Sequence, residues 1–162
     1  MLKPFTLSAL VLVLVITGVP TTVHAQELPP ELVSVADSVL APFEGDRVDL
    51  FLRPITEVAG GAGVFFEPAP ALRPATLQAL RREYGLGVAP PRSGCPPCVK
   101  EGSIATVWFS GVVGHDGGAA VDVVLMVREN PDAPVVLSGR RFLLAAENGR
   151  WRIREIWSLF GS

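Results

Sequence analysis

The chain has 162 residues, enough for a single domain with its own core. Hydrophobic residues make up 49% and charged residues 19%, which excludes disorder by composition. A net charge of −2 argues against nucleic acid as the main partner, and 16 Gly with 15 Pro point to generous loops.

The first 25 residues read as a secretory signal peptide rather than as part of the fold. Lys3 supplies a positive start, and Phe5 to Ile16 is an apolar run too short to span a bilayer. Gly18 and Pro20 break it, and Val23-His24-Ala25 offers small residues for cleavage before Gln26. No later stretch is long and apolar enough to span a membrane. The expected product is an exported protein, periplasmic or extracellular, with one domain over 26–162. His115 and Lys100 are then its only histidine and lysine.

Pro29 to Leu40 is expected to be a helix, with Leu32, Val33, Ala36, Val39 and Leu40 on one face and Pro42 as its stop. Asp46 could cap a short second helix through Leu52. Gly60 to Gly63 is a break, and Val64-Phe65-Phe66 looks like a short strand. Arg73 to Tyr84 has the clearest helical pattern, with Pro74 in its first turn and Gly85 just past its end. The Gly/Pro-rich segment 85–103 is expected to hold neither helix nor strand. It carries Cys95-Pro96-Pro97-Cys98.

The rest reads as strands: Ile104 to Val113, Ala120 to Arg128, Val135 to Glu147 and Arg150 to Phe160. Gly114 to Gly118 and Asn130 to Pro134 are turns, and Asn148-Gly149 is a strong two-residue hairpin signal. Helices followed by an antiparallel meander make an α+β plan.

Counting outward from Asn148-Gly149 pairs Leu144 with Ile153, Phe142 with Glu155, and Arg140 with Trp157. Alternation then gathers Arg140, Phe142, Leu144, Ala146, Trp151, Ile153, Glu155 and Trp157 on one buried face. On that count, Arg140 and Glu155 are diagonal neighbours and could form a polar pair in an aromatic-lined pocket. The other face carries Arg141, Glu147, Arg150, Arg152 and Arg154 and reads as solvated.

This element order, with the Glu147-Asn148-Gly149-Arg150-Trp151-Arg152-Ile153 run, resembles the nuclear transport factor 2-like superfamily, which includes ketosteroid-isomerase-like and polyketide-cyclase-like proteins. The resemblance implies N-terminal helices packed on a curved, mostly antiparallel sheet, a cone around a pocket. It also makes a homodimer across the open sheet conceivable.

Three functions follow as expectations. The first is non-catalytic: the domain holds a small apolar ligand or a protein partner, with Arg140, Phe142, Trp151, Glu155 and Trp157 as ligand-binding residues. The second is thiol–disulfide exchange at Cys95 and Cys98. Against it, Pro96 and Pro97 remove two N–H groups that would stabilise a thiolate, so a structural disulfide is the first expectation. The third is a small isomerase or cyclase with Asp122 or Glu155 as base. His115-Asp116 sits at a Gly-rich hairpin tip and reads as an exposed turn. One Cys pair and one histidine fall short of a four-ligand zinc site, so neither metal nor cofactor is expected.

Overall fold

A computed structural model describes residues 27–51, 70–89, 99, 102–130 and 132–161. The leader expected over residues 1–25, the strand expected at Val64-Phe65-Phe66, and Cys95 and Cys98 lie outside these residues.

Helix α1 spans Pro30–Leu40 and runs into a 3-10 turn at Ala41–Phe43, with Pro42 in its first positions. Leu32, Val35 and Ala36 form its buried stripe. Helix α2 spans Pro74–Glu83 and buries Thr76, Ala79 and Leu80. Gly85 follows it with a φ of 61°, the left-handed geometry that lets a helix end there.

The strands are β1 (Val48–Phe51), β2 (Gly87–Ala89), β3 (Ala105–Phe109), β4 (Val113–His115), β5 (Gly118–Val127), β6 (Val136–Glu147) and β7 (Arg150–Phe160). They form one mixed sheet in the order β2-β1-β3-β5-β6-β7, and β4 pairs with the start of β5. The two pairs made by β1 are parallel and the rest are antiparallel. The chain is therefore α+β, with a seven-stranded, mostly antiparallel open sheet.

Three expectations need correction. The strand expected over Ile104 to Val113 stops at Phe109, and Val113–His115 form β4 against β5, so the turn expected at Gly114 to Gly118 narrows to Asp116-Gly117. The segment Val48-Asp49-Leu50-Phe51 is a strand, not a short helix. Val48 and Leu50 point to the core while Asp49 points away, and pairing with β2 and β3 on both sides outweighs the local helix signal. Residues 87–89, expected to be loop, form β2 for a related reason. Gly87 lies opposite Asp49, and a side chain there would run into the Asp49 carboxylate, so the glycine permits the pairing.

Both helices pack on one face of the sheet, and the main core lies between. It joins Leu32, Val35 and Leu80 to Val48, Leu50, Val107, Phe109, Val121, Val123, Phe142 and Leu144. The opposite face holds a smaller cluster of Val99, Trp108, Val124 and Met126, with Val135, Leu137 and Phe160 against it.

That opposite face also buries charge. Asp122 is 1% exposed, and Arg141, its cross-strand partner, grips it with a two-pronged fork: Nε donates to Oδ1 at 2.7 Å and Nη2 to Oδ2 at 2.8 Å. The backbone holds Asp122 as well, because its N–H donates to Ser110 Oγ at 2.8 Å. Removing the arginine leaves a buried carboxylate without its counter-charge. Arg141→Met should therefore lower stability by about 3–5 kcal/mol in urea unfolding, and Asp122→Val added to it should recover most of the loss. An Arg141→Met protein as stable as the parent would show that the pair contributes nothing.

Candidate functional site

The β6–β7 hairpin sets the site, and its tip is as counted. Asn148 (φ 52°) and Gly149 (φ 73°) make a two-residue turn, and Glu147 pairs with Arg150, Ala146 with Trp151, Ala145 with Arg152 and Leu144 with Ile153. The next pair is Leu143 with Glu155, so Arg154 is an extra residue in β7. Beyond this bulge Phe142 pairs with Ile156, Arg141 with Trp157 and Arg140 with Ser158. A second shift places Phe160 opposite Gly139.

One extra residue inverts the facing of everything beyond it. Arg140, Phe142 and Trp151 stay on the helix side, but Glu155 and Trp157 turn to the opposite face and Ile156 takes their place. The expected Arg140–Glu155 pair therefore does not exist, and the five residues do not form one site. Trp157 instead meets His115 edge to face, with ring centroids 5.9 Å apart and planes at 88°. Asp116 is exposed as expected, its side chain 93% accessible, but His115 is half-buried and ends strand β4 instead of lying in the turn. Asp122 also lies on the face away from the helices, locked to Arg141, so neither candidate base faces the space beneath α1.

On the helix side, a recess of about 280 Å³ opens between the 3-10 turn and strands β5 to β7. Val39, Pro42 and Phe43 form one wall, and Val123, Leu125, Phe142 and Ile156 the other. Ser38, Ser138 and Arg140 are its polar groups. Arg140 is exposed, and no carboxylate lies within ion-pair distance of it among the described residues. Among the described residues the recess is thus apolar, with one positive charge at its rim that no carboxylate pairs. Trp151 lies further along the helix side, packed on the main core, where its carbonyl accepts a hydrogen bond from Ser34 Oγ at 3.0 Å.

The side chains that complete this recess, Val39, Pro42, Phe43 and Ile156, are the ones counting from the hairpin misses. A signal for Ile156 was present. The apolar spacing along β7 goes 151, 153, 156, with Arg154 and Glu155 as consecutive charges, and that slip of one residue is the mark of a bulge.

A second recess, about 470 Å³, lies on the other side of the 3-10 turn and shares Phe43. Tyr84 stands in it. The phenol donates to Asp37 Oδ1 at 2.7 Å and lies 3.4 Å from the Val33 carbonyl oxygen. Burial first, and then the hydrogen bond and charge of Asp37, push the phenol well above its ordinary pKa. Tyr84 is the only tyrosine, so its ionisation can be read directly by ultraviolet absorbance. The midpoint should lie above the ordinary value of about 10 and fall in Asp37→Asn. A raised folded value means that this contribution to stability is intact below about pH 10 and fades as pH climbs through the folded value. A midpoint at the free-tyrosine value would contradict the contact.

Comparison of the chain with protein families, with curated proteins and with solved structures finds no match.

Proposed function

We propose that the protein is an exported, non-catalytic binding domain that takes a small apolar ligand with an anionic end in the recess under Arg140. The carrying observation is the recess itself: apolar walls, two hydroxyls and one guanidinium that no carboxylate among the described residues pairs. Ligand sites are commonly built this way, with apolar area for affinity and a few polar groups for orientation. An eight-carbon carboxylate suits the volume. The chain would lie against Val123, Leu125, Phe142 and Ile156 while its carboxylate meets Arg140.

The fold reading behind this proposal is the cone-like one. The order of helix, strand, helix and then a meander of long strands supports a likeness to the nuclear transport factor 2-like superfamily, in which the space between helices and sheet holds the ligand. The apolar leader pattern of residues 1–25 supports export.

A protein partner is the second reading, and one observation favours it. Strand β7 is a sheet edge, and Ile156 (46%) and Trp157 (41%) on it are among the most exposed large apolar side chains. Part of the edge is already used, because Ser34 bonds the outward Trp151 carbonyl.

Calorimetric titration with octanoate and octanol separates these readings. The parent protein should bind octanoate saturably. Arg140→Ala should weaken octanoate about tenfold and leave octanol nearly unchanged, since only the carboxylate uses the guanidinium. Ser138→Phe, which fills the recess, should weaken both. Octanoate binding that neither variant disturbs would overturn the assignment of the site.

A further inference from the structure

The larger recess, on the far side of Phe43, differs from the first in charge. Its lining is Asp37, Leu40, Ala41, Phe43, Glu44, Gly45, Val48, Tyr84, Gly85 and Leu86. Val48 and Leu86 are each 7% exposed and form an apolar floor. Phe43 and Tyr84 supply aromatic rings. The charged groups in the lining are the carboxylates Asp37 and Glu44, and no basic side chain is among them.

The backbone adds to this polarity. Helix α1 ends at Leu40 and α2 at Glu83, and residues at both ends line the recess: Asp37, Leu40 and Ala41 from the first, Tyr84 and Gly85 from the second. A helix C-terminus carries partial negative charge from its free carbonyls. The last turn of α1 holds no basic residue to offset it. Arg81 and Arg82 in the last turn of α2 are not part of the lining. Two helix C-termini and two carboxylates thus bear on one apolar, aromatic hollow.

Tyr84 sets the geometry. Its hydroxyl holds Asp37 Oδ1, which fixes the carboxylate and leaves Oδ2 without a hydrogen-bond partner among the described residues. The phenol stays neutral through the physiological range, because burial and Asp37 both oppose its ionisation. It therefore adds no charge of its own, and its ring remains a face for a cation or an apolar body.

From this juxtaposition we infer that the hollow between the two helix ends is a second binding site, and that its ligand class is an organic cation: an ammonium group carried on an apolar or aromatic body. The body lies on Val48, Leu86 and the rings of Phe43 and Tyr84. The ammonium meets Asp37, Glu44 and the carbonyl end of α1. The site is independent of the anion-selective recess under Arg140, with only the Phe43 side chain common to both.

The test is a nitrogen-15 chemical-shift titration of the protein with 2-phenylethylammonium at neutral pH and low ionic strength. Saturable shifts should centre on the amides of Gly45, Gly85 and Leu86. Asp37→Asn keeps an acceptor for Tyr84 but removes the charge, and should weaken binding about fivefold. Glu44→Gln should act in the same direction. Ala41 is exposed, so Ala41→Trp can fill the hollow without touching the core, and it should abolish the shifts. Added salt should weaken binding, and Arg140→Ala should leave it unchanged. 3-Phenylpropionate, with the same ring and the opposite charge, should not shift these amides. The inference is overturned if 2-phenylethylammonium shifts none of them, if Asp37→Asn and Ala41→Trp bind it as the parent does, or if phenylpropionate shifts them equally.

Discussion

Between Leu144 and Leu143 the β6–β7 ladder slips by one residue, because Arg154 has no partner of its own. A strand alternates its side chains strictly, so an unpaired residue exchanges the two faces for the rest of its length. If Arg154 paired with Leu143 in an unbulged ladder, Glu155 and Trp157 would lie under the helices and place a second charge beside Arg140. With Arg154 unpaired, Ile156 lines the recess, no carboxylate among the described residues pairs with Arg140, and Trp157 goes to the far face, where it meets His115. Arg154 itself reaches back to Glu147, Nη2 to Oε1 at 3.0 Å, so the bulged residue is held on the outer side.

The helix side is divided by a short piece of chain. After α1, the 3-10 turn at Ala41–Phe43 lines both hollows, Ala41 and Phe43 one and Pro42 and Phe43 the other. Phe43 sits on the divide. On one side the polar groups are Arg140, Ser38 and Ser138; on the other they are Asp37, Glu44 and Tyr84. The two hollows share an apolar character and differ in the sign of their charge. Charge complementarity, more than apolar area, would then decide which ligand goes where.

Much of the architecture was legible in the sequence, and the failures share a cause. Pro30, Pro74 and Gly85 mark helix boundaries through local chemistry, and so does the Asn148-Gly149 turn; each was read correctly because it needs no distant partner. Strands β1 and β2 were missed because each is short and exists by parallel pairing across the sheet, which no local window reports. The match of Gly87 to Asp49 is visible only once the strands lie side by side. The site was half legible: Arg140 and Phe142 were placed correctly from the hairpin, whereas Glu155 and Trp157 were carried to the wrong face by a single unpaired residue. Phe43 and Pro42 join the recess through the tertiary path of α1, beyond the reach of hairpin counting.

The account of the site rests on this register, and cross-strand nuclear Overhauser contacts in the β6–β7 hairpin test it most directly. Leu143 should show backbone contacts to Glu155, and Phe142 side-chain contacts to Ile156, with Trp157 in contact with His115. Contacts from Leu143 to Arg154 and from Phe142 to Glu155 would mean an unbulged hairpin. Glu155 and Trp157 would then lie beneath the helices, and the uncompensated Arg140 recess would not exist.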